Sequence, residues 1–141
     1  MAPDPALDAD VRRADEDRWL ASRFALQDAR TRLVALYALN HEIARTAETV
    51  RQAAIGDIRL QWWREATAEV FAGGPARKHP VVQVFAAAHA ETPFSPEIVS
   101  ALIDARGGDL EPAPFATWNA METYLAATSG GIMRLAFTTC G

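Results

Sequence analysis

Apolar residues recur along this chain at the three- and four-residue spacing of helices, and the alternation that strands require is almost absent. Asp28 can cap a helix that the pattern carries to about Val50. At roughly 100° per residue, Leu33, Leu36, Tyr37, Ile43, Ala44 and Ala47 fall on one stripe, as a core-facing helix requires. A second helix is predicted from about Ile55 to Ala72, stopping at Gly73-Gly74, where a left-handed cap costs little. Its apolar arc takes in Ile55, Ile58, Trp62, Trp63, Ala66 and Val70. A third begins at Pro80, a residue suited to the first helical position, with Val81, Val84, Phe85 and Ala88 turned inward. A fourth follows Ser95, with Pro96 in its first turn, Glu97 facing the positive helix end, and Ile98, Val99, Leu102 and Ile103 buried. Gly107-Gly108, Pro112 and Pro114 interrupt the pattern. Thr117 then caps a fifth helix holding Met121, Tyr124, Leu125 and Ile132. Val81-Val82 is too short for a strand and sits in a helical period. The expected fold is all-α, an antiparallel helical bundle with short connections.

Residues 1–14 carry Pro3, Pro5 and many charges but few large apolar groups, and are expected to form a mobile acidic tail before a helical domain over 15–141. A length of 141 residues fits one domain. A net charge of −4 argues against a nucleic-acid partner, which would favour clustered positive charge. No apolar run approaches the roughly 20 residues needed to span a bilayer, so no transmembrane segment is expected. Asp4, Asp8, Asp10, Asp15, Glu16 and Asp17 crowd the start, which fits neither a secretory signal nor a mitochondrial presequence. Cys140 is the single cysteine, which excludes an internal disulfide and fits a reducing compartment. The expected location is the cytoplasm, peripheral to the inner membrane at most. Lys78 is the only lysine among 14 basic residues, a bias that suggests a GC-rich bacterial gene.

Three groups of polar residues could carry chemistry. Asn40 interrupts the apolar stripe of the first long helix, with Ala44 and Glu48 following at successive turns, so the three are expected to look inward together. They read either as one tolerated core amide and one solvated acid, or as the remnant of a polar cavity. His41, Glu42 and Arg45 point outward as surface contacts. Arg59 lies inside the apolar arc of the second helix. A buried guanidinium needs an acid, and Glu48 or Asp109 is the expected partner; otherwise Arg59 runs along Trp63 to water. The two tryptophans are expected to anchor the core. Asp104, Asp109 and Glu111 flank the Gly107-Gly108 break, as a cation-binding loop or a solvated turn. Gly130-Gly131 either allows a close helix approach or marks a kink, and Cys140 has no visible base partner.

At Leu36-Tyr37-Ala38-Leu39-Asn40-His41-Glu42-Ile43 the chain resembles the squalene/phytoene synthase family, in which a Leu-Tyr-Ala-Phe run leads into the first aspartate-rich box. Arg59-Leu60-Gln61-Trp62-Trp63-Arg64 is a second point of similarity. Leu102-Ile103-Asp104 through Asp109-Leu110, followed by Tyr124 and Thr128-Ser129-Gly130-Gly131, is a third. Together they cover about residues 17–137 in the family's order. The resemblance implies the isoprenoid (terpenoid) synthase fold, of which this chain would be the N-terminal part. In that family two aspartate-rich boxes hold magnesium against the diphosphates of two prenyl groups that condense head to head. Tyr37, Asn40, Ala44, Glu48, Arg59, Trp62, Asp109 and Tyr124 are the candidate residues of a ligand cavity.

The resemblance departs where the metal would sit. The family's Asp-Asp-x-x-Asp falls on Ala44, Arg45, Thr46, Ala47 and Glu48, so a methyl group and a cation replace two acids. The second box belongs to the later half of the family pattern. No metal, cofactor or catalytic residue is therefore expected in these residues. Asn40-x-Glu42-Ile43-Ala44, Ile55-Gly56 and Gln61-Trp62-Trp63 are similar to a divergent branch of the family, that of the mitochondrial respiratory complex I assembly factor and its bacterial relatives. The first reading is a non-catalytic scaffold that binds a prenyl- or lipid-like ligand or a protein partner. The second is an active magnesium-dependent prenyltransferase whose remaining site lies beyond residue 141. The third is a plain helical interaction module. A bundle that leaves apolar faces uncovered would also self-associate.

Overall fold

The computed structural model describes residues 3–141, and all of its regular structure is helical. In chain order the helices are α1 (Pro5–Ala14), α2 (Glu16–Ser22), α3 (Gln27–Ala44), α4 (Thr46–Thr49), α5 (Ala53–Phe71), α6 (Pro80–Glu91), α7 (Pro96–Arg106), α8 (Trp118–Ala127) and α9 (Ser129–Cys140), with a 3-10 turn at Gly107–Leu110. Local chemistry sets several of the starts. Ser95 Oγ accepts the Ile98 N–H at 3.3 Å to open α7, and Thr117 Oγ1 accepts that of Ala120 at 3.0 Å to open α8. His79 Nδ1 accepts the Val81 N–H at 3.2 Å, so an imidazole caps α6 just ahead of Pro80. Gly73 follows α5 with φ +76°, the left-handed conformation expected at that stop.

The bundle is built around α3. Residues 33–40 are buried in an unbroken run, so α3 is covered on every side, with α1, α6 and α9 packed against it. Phe85 of α6 is fully buried and stacks on Phe94, with centroids 5.2 Å apart. On α7 the expected Val99, Leu102 and Ile103 are fully buried.

The expected mobile tail is corrected. Met1 and Ala2 lie outside the described residues, but Pro5–Ala14 is a helix whose Val11 is only 2% exposed. A polar stretch folds here because its charges have partners. Trp19 Nε1 donates to Asp8 Oδ2 at 3.0 Å, and Arg23 Nη2 donates to Asp8 Oδ1 at 2.9 Å. The guanidinium groups of Arg12 and Arg23 both lie over the Trp19 ring, 4.8 and 4.6 Å from its centroid.

The first long helix is shorter than expected. It ends at Ala44, and Arg45 separates it from the single turn α4. Threonine hydroxyls compete for carbonyls at this point: Thr46 Oγ1 donates to Glu42 O and Thr49 Oγ1 to Arg45 O, each at 3.3 Å, a habit that bends helices. The buried face of α5 is also rotated from expectation. It runs through Gly56, Leu60, Trp63, Ala66, Thr67 and Val70, whereas Ile55 and Ile58 are 43% and 70% exposed. Gly56 lies on this buried face. A Cβ there would stand 2.3 Å from Leu110 Cδ2, so the bare Cα lets the 3-10 turn close onto this face. The fifth predicted helix splits at Thr128 into α8 and α9, and α8 contributes no fully buried residue. Among the described residues no helix is long and apolar enough to cross a membrane.

Candidate functional site

The residues singled out on α3 do not share one environment. Tyr37 is buried and lines an apolar groove beside α9. Burial pushes its phenol pKa up. Asn40 is buried at 8% exposure, Ala44 at the last turn is half-buried, and Glu48 on α4 is exposed. The expected inward trio is therefore not formed, because the helix ends at Ala44 and α4 starts afresh. At the end of α3, Ala44 offers a methyl group and Arg45 an exposed guanidinium whose Nη1 donates to Glu42 Oε1 at 3.3 Å.

The expected carboxylate partner of Arg59 is likewise corrected. Arg59 is exposed, and its Nη1 donates to Thr49 Oγ1 at 2.9 Å and to Thr49 O at 3.5 Å. Rotation of α5 carries Arg59 off the buried face and onto the end of α4. Asp109 is engaged elsewhere: it accepts from Arg106 Nη1 at 3.1 Å through Oδ2 and from the Tyr124 hydroxyl at 2.7 Å through Oδ1. Arg106 Nη1 also donates to the Tyr124 oxygen at 2.9 Å, closing a three-membered cluster. Burial first, then the acceptor Asp109, raise the Tyr124 pKa, against the opposing charge of Arg106. The structure thus brings together Asp109 and Tyr124, two of the residues named from the sequence, and holds them with Arg106, which the linear pattern did not single out.

Trp62 and Trp63 meet edge to face at 4.9 Å, Trp63 buried and Trp62 partly so. His79 completes an aromatic triangle, 5.5 Å from Trp62 and 5.1 Å from Trp63. Arg77 lies over Trp62 at 5.3 Å and grips Glu69 with two bonds of 2.9 and 2.7 Å. Beside the triangle, a cavity of about 330 Å³ is lined by Glu42, Arg45, Thr46, Thr49, Arg59, Trp62, Trp63 and His79. His79 and Thr49 were not legible as site residues. The only signal was the position of His79 directly before a helix-opening proline.

The acids flanking the Gly107-Gly108 break are dispersed. Asp104 accepts from Arg64 Nε at 2.6 Å, Asp109 belongs to the tyrosine cluster, and Glu111 is exposed. Among the described residues no three His, Cys, Asp or Glu side chains gather into a group that could hold a metal ion.

Residues 11–141 match the family model described as squalene/phytoene synthase. Among curated proteins the chain is similar to NADH dehydrogenase (ubiquinone) complex I, assembly factor 6. Identity is 24% with the protein of Rattus norvegicus, 22% with that of Mus musculus and 21% with that of Homo sapiens, over 131 residues in each case. These alignments cover 93% of this chain and 39% of each relative, so the chain spans well under half their length. No solved structure matches the chain. With the family model matching residues 11–141, and all the regular structure of the described residues helical, the chain belongs to the squalene/phytoene synthase family.

Proposed function

We propose that this chain is a non-catalytic member of its family, a scaffold that binds a lipid-like ligand or a protein partner in the manner of a respiratory-complex assembly factor. One observation carries the reading: Ala44 and Arg45 stand where the family's paired aspartates would hold magnesium. Magnesium takes near-octahedral oxygen ligands, commonly one or two carboxylates with substrate phosphates. Ala44 supplies no oxygen, Arg45 brings a positive charge, and the remaining acid, Glu48, is exposed on a separate turn. The donor set of this helix does not fit the ion, and no cofactor is assigned. The names of the similar mammalian proteins, which are complex I assembly factors, favour a protein partner over a prenyl substrate. A location at the cytoplasmic face of an inner membrane agrees with this reading.

The test is incubation of the protein, expressed from its full reading frame, with magnesium and farnesyl or geranylgeranyl diphosphate, with released diphosphate measured. The expected result is no release above the protein-free control. Magnesium-dependent consumption of either substrate would establish a head-to-head prenyltransferase instead.

A further inference from the structure

The cavity between α3, α4, α5 and the turn before α6 has an unbalanced lining. It holds two guanidinium groups, Arg45 and Arg59, against one carboxylate, Glu42. Glu42 is committed to Arg45 at 3.3 Å. Arg59 touches only the hydroxyl and carbonyl of Thr49, at 2.9 and 3.5 Å, through a single nitrogen. A guanidinium has five N–H donors in a planar fork, so most of those on Arg59 remain to be used. His79 also lines the cavity. Its Nδ1 accepts from the Val81 backbone, which leaves Nε2 to carry the hydrogen of the neutral ring. Thr46 and Thr49 add hydroxyls, and Trp62 adds an aromatic wall that is only partly covered. Donors and positive charge line one cavity, with an aromatic surface among them.

We infer that this cavity binds a phosphate monoester, the phosphate held by the free fork of Arg59 with Arg45 and His79 nearby, and its apolar substituent set against Trp62. Arginine meets phosphate with two parallel charge-assisted hydrogen bonds, which a lone carboxylate-poor pocket makes available. Arg45 enters both this inference and the scaffold reading, but the phosphate contact here is assigned to Arg59, and neither Ala44 nor Glu48 lines the cavity.

Calorimetric titration with phenyl phosphate, inorganic phosphate and benzoate tests it. Phenyl phosphate should bind most tightly, inorganic phosphate should lack the ring contact, and benzoate should lack the second charge. Arg59→Gln should weaken phenyl phosphate about tenfold or more, the loss of one strong charge-assisted contact. Arg59→Lys, which keeps the charge but not the fork, should fall between. Glu42→Gln removes the competing carboxylate and should tighten binding, a change of opposite sign that general loosening of the fold would not produce. Arg59 is exposed, and an unchanged thermal melt of the Arg59 variants separates lost binding from lost folding. No binding of phenyl phosphate at millimolar concentration, equal affinity in Arg59→Gln, or a preference for benzoate would each overturn the proposal.

Discussion

The Tyr124 hydroxyl donates a hydrogen bond to Asp109 and accepts one from Arg106, so its oxygen is used in both directions. Deprotonation would break the bond to Asp109 and place two anions 2.7 Å apart. Burial and that acceptor hold the phenol above its usual value of about 10, and burial does the same for Tyr37. A group whose folded pKa is raised keeps its proton in the native state after the unfolded chain has lost it. Its stabilisation is complete below the unfolded value and is lost as pH rises through the folded one. Ultraviolet titration should show both tyrosines ionising late, with stability falling above about pH 10. Tyr124→Phe should delete one of the two late transitions. A titration at the ordinary value would contradict the cluster. At this scale the sequence was informative about which residues matter and less so about their partners. Asp109 and Tyr124 were visible, but the partner expected for Asp109 was Arg59. On α5 it is Ile55 and Ile58 that face solvent and Gly56 that meets Leu110, a contact between residues 54 positions apart that no local pattern records.

Among the elements, α6 and α7 were readable because each carries an apolar period behind a proline at its start, and α3 because its apolar run is long. The α1 helix was not, because its stability comes from contacts with α2 and α3 that no local pattern records. The Asp8 carboxylate accepts from Trp19 and Arg23, both distant in sequence, and both side chains of the Asp8–Arg23 pair are roughly three-quarters buried. Removing one partner of such a pair strands the others, at a cost of about 1–3 kcal/mol. Asp8→Ala should therefore lower stability by about that amount and speed hydrogen exchange through α1 more than elsewhere. Equal, fast exchange across Asp8–Ala14 in the unaltered protein would restore the mobile tail. The break at Arg45 was equally hidden. Thr46 and Thr49 are ordinary helix residues on paper, and the interruption shows in the backbone, where the Glu48 N–H donates to Arg45 O at 3.0 Å, one residue short of the helical register.

Across the molecule, the face between the α2–α3 connection and α9 leaves much apolar surface in water. Phe24 and Leu26 are 88% and 84% exposed, and Met133 and Phe137 on α9 are 61% and 77% exposed. They border a groove of about 510 Å³ that reaches Tyr37. Patches of this kind recruit another surface. The 141-residue chain alone should sediment as a concentration-dependent mixture of species, and Phe137→Ser should shift it toward monomer. A single monomer at every concentration would contradict this. The all-α bundle and the family were legible from motifs that lie on its helices, whereas the uncovered face depends on how α8 and α9 separate at Thr128. Inside that frame the deciding feature of the proposed scaffold is electrostatic: α3 closes on a methyl group, Ala44, and a guanidinium, Arg45. Paramagnetic broadening by manganese, a stand-in for magnesium, with inorganic diphosphate present, tests it most directly in the amide spectrum of residues 44–48. Sharp, unmoved signals are expected in the native protein, with broadening gained only when Ala44 and Arg45 are both replaced by aspartate. Selective broadening around Glu48 in the unaltered chain would contradict it.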